Sequence, residues 1–209
     1  MKATENYDLF HNRIFLDGVN EGKVDLDFDG NYVKIDHLKR NDWIGNNYYT
    51  REVIRYTEPK YEELPIINFV GGTEGYGYSS EPNSVSKDNN PTSDFGWECF
   101  PQGMYDSIMI GNEYGKPIYI TENGIADSRD LLRPRYIKEH VEKMFEAIQA
   151  GGADVRGGYF HWALTDNYEW AMGFKIKFGL YEVDPISKQR IPRPRSVETY
   201  KKIVREGLP

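Results

Sequence analysis

The chain has 209 residues, 39% hydrophobic and 28% charged, which is the composition of one globular domain with a sizeable core. A net charge of −7 with no basic stripe argues against nucleic acid and anionic membrane as partners. The single Cys99 excludes an internal disulfide and a cysteine-built zinc cluster, and the four His show no ligand spacing, so neither a metal nor a cofactor is expected.

The N-terminal "MKATENYDLFHN" has no apolar run of the signal-peptide kind, and no stretch approaches the ~20 apolar residues of a membrane span. A cytoplasmic location is expected. Residues 1–40 are polar apart from "RIFLDGV" and are expected to form a short helix and connecting loops. "DWIGNNYYT" (Asp42–Thr50) has the look of a buried aromatic strand, which "REVIRYTE" continues. Residues 71–97 form a long loop rich in Gly, Ser, Asn and Pro; loops of that length are uncommon unless functional or disordered. The "GYGYSS" within it lacks the flanking strand and helix of a phosphate-binding loop.

"PQGMYDSIMIGNEYG" is expected to be a helix ending near Gly115, and "KPIYIT" a strand that runs into Glu122. The clearest helix is "LLRPRYIKEHVEKMFEAIQAGG". Its Ile137, Val141, Met144, Phe145 and Ile148 share one face, and Gly151 is placed to cap it. "VRGGYFHWAL" is a third strand, "FKIKFGLYEVDPISKQRIPR" a hairpin around "DPISKQ", and "SVETYKKIVREG" a closing helix. Strand and helix alternate three times, the pattern of a parallel sheet or barrel whose sites lie at the carboxyl edge.

Two stretches carry chemistry. Glu122 sits at the carboxyl tip of an apolar strand, where a carboxylate is rigid and partly desolvated. The Asn123-Gly124 that follows also fits a hairpin, although "IADSRDLL" does not alternate like a return strand. "HWALTDNYEW" puts Trp162, Glu169 and Trp170 just after a strand. Indoles stack on sugar faces and a carboxylate accepts adjacent hydroxyls, but both tryptophans fit a core role equally well.

Taken together, "YITENG", "HWALTDNYEW…FGLYEVD", "DWIGNNYYT" and "SDFGWECFPQGMYD" resemble successive motifs of glycoside hydrolase family 1, nearest its archaeal β-galactosidase/β-glucosidase branch. The resemblance covers nearly the whole chain. It implies an α/β fold that is the C-terminal part, about strands six to eight, of a (β/α)8 TIM barrel, with residues 1–209 as a single domain and 71–97 as a long active-site loop. It also implies that Glu122 is the catalytic nucleophile and that Tyr49 supports it by a hydrogen bond. Asn47, Trp162, Glu169 and Trp170 would contact the sugar, with Trp97 and Phe178 on the leaving-group side. His161 and Asp166 would support the loop backbone. Glu169 would take the 4- and 6-hydroxyls, which implies an unphosphorylated β-linked saccharide or aryl glycoside as substrate.

Part of the family pattern is missing. A retaining glycosidase needs a second carboxylic acid about 5–5.5 Å from the nucleophile, which the family draws from an Asn-Glu-Pro motif ending strand four. Here Asn112-Glu113 is followed by Tyr114. The family's sugar-binding Gln, His and Asn of early strands are missing too. The expected function is therefore the nucleophile-bearing half of a retaining β-glycosidase. A complementary N-terminal half-barrel polypeptide would supply the acid/base, and a higher oligomer is expected. The alternatives are a non-catalytic sugar-binding or regulatory remnant, and an inactive fragment of a longer enzyme.

Overall fold

The computed structural model describes residues 2–57 and 70–207. Helix α1 (Lys2–Asp8) runs through a π-turn at Leu9–Arg13 into α2 (Ile14–Glu21), which Gly22 ends in a left-handed conformation. Strands β1 (Lys23–Val24) and β2 (Val33–Lys34) then form an antiparallel hairpin. The first 40 residues are thus more ordered than the expected short helix and loops.

Strand β3 (Ile44–Asn47) is the first of the central sheet, but "REVIRYTE" does not continue it. Instead β4 (Ile54–Tyr56) pairs with β5 (Val70–Gly72) in a separate antiparallel hairpin; Glu58, the last residue of that expected strand, lies outside the described residues. Helix α3 (Gln102–Asn112), strand β6 (Ile118–Asn123), helix α4 (Arg133–Gln149) and strand β7 (Val155–His161) follow, then the hairpin of β8 (Tyr181–Val183) and β9 (Arg190–Pro192), and last helix α5 (Pro194–Glu206). The third expected strand therefore stops at His161, three residues short of Leu164.

The central sheet is parallel, in the order β3-β6-β7, and its strand–helix alternation is the one the sequence predicts. The middle strand β6 is the most apolar, with Ile118 and Ile120 fully buried. They pack on Met104 and Ile108 of α3 and on Ile137, Val141 and Met144 of α4. Two details of α4 differ from expectation. Phe145 is exposed, not on the core face, and Ala147 takes the buried position one turn on from Met144. The helix ends at Gln149 with Ala150 as its C-cap, and the left-handed glycine of the turn that follows is Gly152 (φ +67), not Gly151. A Cβ at Gly151 would still meet the Met109 sulfur at 2.5 Å, so that glycine serves close packing instead.

Carboxylates fix the starts of α4 and α5. Asp127 accepts hydrogen bonds from the Leu132 and Arg133 amides at 2.7 and 2.8 Å, closing the N-terminus of α4. Asp130 accepts the Arg195 and Ser196 amides at 2.7 and 3.1 Å, doing the same for α5 across the loop. Both outer strands are thinly covered: β7 has no fully buried residue, and Phe160 is 59% exposed. Parallel strands are ordinarily buried on both faces. No helix among the described residues is long and apolar enough to cross a membrane.

Candidate active site

Asn123 and Gly124 are not a hairpin turn. Asn123 is the buried last residue of β6, and its amide joins three elements. Its Nδ2 donates to the Tyr48 carbonyl at 2.6 Å and to the Tyr136 hydroxyl at 2.9 Å, while its Oδ1 accepts from the Tyr159 hydroxyl at 2.6 Å. Tyr136 in turn donates to the Tyr49 carbonyl at 2.7 Å. Gly124 is where the chain passes closest to β7: a Cβ there would lie 1.9 Å from the Trp162 carbonyl oxygen. The Asn-Gly pair therefore locks the tip of β6, and the residue so fixed in front of it is Glu122.

The Glu122 backbone is held in the sheet, its carbonyl accepting the Tyr48 amide at 3.0 Å. Its carboxylate accepts a hydrogen bond from the Tyr49 hydroxyl at 2.6 Å. Burial, and then the Glu122 carboxylate, push the Tyr49 hydroxyl far above the ordinary tyrosine range, so Tyr49 remains a donor at any working pH. A hydrogen bond donated to a carboxylate favours its charged form. Tyr49 is itself set edge-on against Trp97 and Phe178, with ring centroids 5.6 and 6.1 Å apart.

Around this pair lies a cavity of about 430 Å³, walled by Phe95, Trp97, Trp162, Met172 and Phe178 together with Glu169 and Trp170. Glu169 is 9% exposed, and the tight loop at Trp170–Met172 turns it inward: the Glu169 amide donates to the Gly173 carbonyl and the Met172 amide to the Glu169 carbonyl, both at 2.8 Å. Among the described residues no group donates a hydrogen bond to the Glu169 carboxylate, so its oxygens are available to a ligand. Trp170 stands at the rim, 84% exposed. The cavity thus joins two carboxylates, one braced by a tyrosine, with aromatic walls of the kind that pack against sugar rings.

Six of the expected site residues (Glu122, Tyr49, Trp97, Trp162, Glu169 and Phe178) come together in this cavity, and Trp170 edges it. Phe178 is only 2% exposed and forms the floor, leaving little surface for a leaving group. Asn47 does not line the cavity. It pairs in register with Glu122, but its side chain accepts the Thr121 hydroxyl at 2.7 Å on the open side of the sheet. Glu113 lies outside the cavity too, paired with Arg13 at 2.5 Å on the surface. Asp166 supports the loop, as expected: it accepts the Gly179 amide at 2.9 Å and both Arg193 nitrogens at 3.0 Å. His161 is half-buried beside Tyr159 and Tyr200, with both ring nitrogens shielded from solvent.

Glu98 is the residue whose role the sequence hid. Its side chain is fully buried and accepts five hydrogen bonds: two from Arg51 at 2.9 and 3.0 Å, and one each from the Gly77 amide (2.8 Å), Ser86 (2.7 Å) and Asn90 (2.8 Å). Burial alone would raise its pKa, but these donors outweigh burial and hold it below the ordinary carboxylate range. The glycine-rich segment 71–97 is organised around this anion, which holds Phe95 and Trp97 in the cavity wall. Its donors lie 8 to 47 residues away in the chain, so no local pattern marks it.

The family model for glycosyl hydrolase family 1 matches residues 1–207. A β-galactosidase of Pyrococcus woesei is 53% identical over 205 residues, which is 98% of this chain and 40% of that protein. A 6-phospho-β-galactosidase of Streptococcus mutans is 31% identical over 97% of this chain and 49% of that protein. The crystal structure of the β-glycosidase from Thermosphaera aggregans superposes with a TM-score of 0.83 at 36% identity, covering all of this chain and 41% of that one. The chain thus spans 40 to 49% of the length of these curated relatives, and its whole length superposes on about two fifths of the Thermosphaera aggregans structure. Its three parallel strands form part of a larger α/β barrel, and the chain belongs to glycosyl hydrolase family 1.

Proposed function

We propose that this chain is the nucleophile-bearing part of a retaining β-glycosidase acting on unphosphorylated β-galactosides or β-glucosides. The observation that carries this reading is the Tyr49–Glu122 hydrogen bond of 2.6 Å inside an aromatic cavity shared with Glu169. Glu122 attacks the anomeric carbon while an acid protonates the departing oxygen, giving a glycosyl–enzyme ester. Water, deprotonated by the same group acting as base, then hydrolyses the ester. Tyr49 holds the attacking carboxylate in place. Trp162 supports the sugar ring, Glu169 accepts its 4- and 6-hydroxyls, Trp170 contacts its 3-hydroxyl, and Trp97 flanks the leaving group. Asn47 reaches the sugar only after its side chain leaves Thr121.

The acid/base comes from residues outside this sequence. Glu113 is taken by Arg13, and Glu169 is assigned to the sugar hydroxyls. The chain corresponds in this reading to about strands six to eight of the barrel, and a complementary N-terminal portion pairs with the outer edges of β3 and β7. A cytoplasmic location and a higher oligomer belong to the same reading. A 6-phosphogalactoside, suggested by the name of the Streptococcus mutans relative, is the second candidate. The inward Glu169 carboxylate disfavours it, because it would repel a phosphate at that position.

The test is complementation. The chain is mixed with the portion of the Pyrococcus woesei β-galactosidase that it does not match. Turnover of an aryl β-galactoside or β-glucoside is expected in the mixture and not from the chain alone, with the β-anomer as first product by proton NMR. The same mixture with Glu122→Gly is expected to lose nearly all turnover and to recover part of it with azide. Turnover by the chain with no second polypeptide detectable by mass spectrometry, or an α-anomer as first product, would overturn the proposal.

A further inference from the structure

The turn of the β1–β2 hairpin reads "DLDFDG", Asp25 to Gly30. It shares no residue with the aromatic cavity, so a site there is independent of the glycosidase reading. Aspartates at the first, third and fifth positions, a glycine at the sixth and a carboxylate at the twelfth make the spacing of a calcium-binding loop, with Asp36 where such loops usually carry Glu. Gly30 has φ +89, the left-handed conformation that lets the chain turn sharply there. The absence of clustered His and Cys speaks against zinc, but not against a hard cation that takes only oxygen.

The structure brings the first three carboxylates together. One oxygen each from Asp25, Asp27 and Asp29 lies within 4.8 Å of the others, which is within the span of oxygens around one calcium ion, up to about 5 Å. Asp36 is not part of this group. Among the described residues no Lys, Arg or His forms an ion pair with any of the three; Lys23, next to the turn, pairs with Glu21 instead. A second observation points to a ligand. Asp25 is only 2% exposed, and while its Oδ2 accepts the Gly30 amide at 2.9 Å, its Oδ1 is buried without a hydrogen-bond partner. Buried carboxylate oxygens are ordinarily paired or bound to a metal.

We propose that the Asp25–Gly30 turn is a calcium site in which Asp25, Asp27 and Asp29 supply the carboxylate oxygens and water completes the coordination shell. Calcium tolerates such an irregular, partly hydrated oxygen set, whereas magnesium demands near-octahedral geometry and gives up its water reluctantly. With Asp36 outside the group, the site lacks the two-oxygen ligand of a full loop. Its dissociation constant is therefore expected at the weak end of the range, on the order of 10⁻⁴ to 10⁻³ M.

The experiment uses the full chain after treatment with a chelator. Terbium luminescence, sensitised by nearby tyrosine, is titrated to saturation and then displaced with calcium or magnesium chloride. The expected result is one terbium per chain, displaced by calcium at a concentration about tenfold below that needed with magnesium. Asp25→Asn and the exposed Asp27→Asn are each expected to weaken binding by about tenfold or more. The Asp27 variant keeps the test decisive if loss of the buried Asp25 charge disturbs the hairpin. Absence of saturable displacement up to about 10 mM calcium, binding untouched by Asp27→Asn, or equal displacement by magnesium would overturn the assignment.

Discussion

Glu122 and Glu169 share one cavity yet are set up for different work. Glu122 accepts a hydrogen bond from a tyrosine that cannot ionise at working pH, which holds its carboxylate in one orientation. Glu169 has no protein donor on its carboxylate among the described residues and is turned inward by the Trp170–Met172 loop, so its oxygens are open to hydroxyl groups of a ligand. A charge-assisted hydrogen bond exceeds a neutral one by on the order of 1–2 kcal/mol. In the complemented enzyme, Glu169→Gln is therefore expected to lower kcat/KM by roughly ten- to thirtyfold, at about 1.4 kcal/mol per decade. The loss should shrink on β-xylosides, which lack the 6-hydroxyl. Steady-state kinetics on a galactoside, a glucoside and a xyloside check this; an equal loss on all three would make Glu169 a structural residue. Glu98, fully buried, already has five protein donors on its carboxylate, and that separates an anchor from a reader of substrate.

Strand β6 is the element on which the site depends. Its two buried isoleucines fix its depth, Asn123 ties its end to Tyr48, Tyr136 and Tyr159, and Gly124 lets β7 come close. A methyl group at Gly124 would meet the Trp162 carbonyl at 1.9 Å, and that neighbour is backbone that cannot rotate away. Gly124→Ala is therefore expected to destabilise by about 3 kcal/mol, the upper end for overpacking, and to shift Glu122 two residues upstream. Gly158 on β7 offers the contrast. Nothing lies within 4 Å of the place its methyl group would take, so Gly158→Ala should change stability by about 0.5 kcal/mol or less. Urea unfolding of the two variants side by side measures the difference; equal midpoints would remove Gly124 from this role.

Over the whole molecule, buried ionisable groups set how stability varies with pH. Burial holds His140, stacked on Tyr136, at a pKa of about 3, and burial does the same for His161. Both are neutral in the folded chain and bind protons near pH ~6.5 when unfolded. The unfolded state thus takes up protons first as pH falls. The stabilisation is complete above about pH 6.5 and is lost progressively toward pH 3, at about 1.4 kcal/mol per pH unit for each histidine. Glu98 adds to the loss only below the ordinary carboxylate range, because its folded pKa is depressed and its charge is what the five donors hold. Thermal unfolding between about pH 7 and 5 should therefore show a falling midpoint, and His140→Phe should reduce the steepness by the share of one proton. A midpoint flat across that window would mean that the histidines are protonated in the folded state.

The alternation of strands and helices is legible in the sequence, and the resemblance of its motifs to one family singles out Glu122, Tyr49, Trp162 and Glu169. These are local signals: apolar periodicity, a carboxylate at a strand tip, and short motifs within a few residues of one another. The hairpin reading of Asn123-Gly124 stayed open because apolar flanks fit either outcome. Contacts between distant parts of the chain resolve it, with the Trp162 carbonyl against Gly124 and three tyrosines around Asn123. The exposure of Phe145, the separate β4–β5 hairpin, the anchoring role of Glu98 and the buried, unpartnered oxygen of Asp25 were also hidden in the sequence. Each depends on what packs against a residue from distant parts of the chain. Helical or strand periodicity fixes which side of its own element a residue occupies, but not whether another element covers that side.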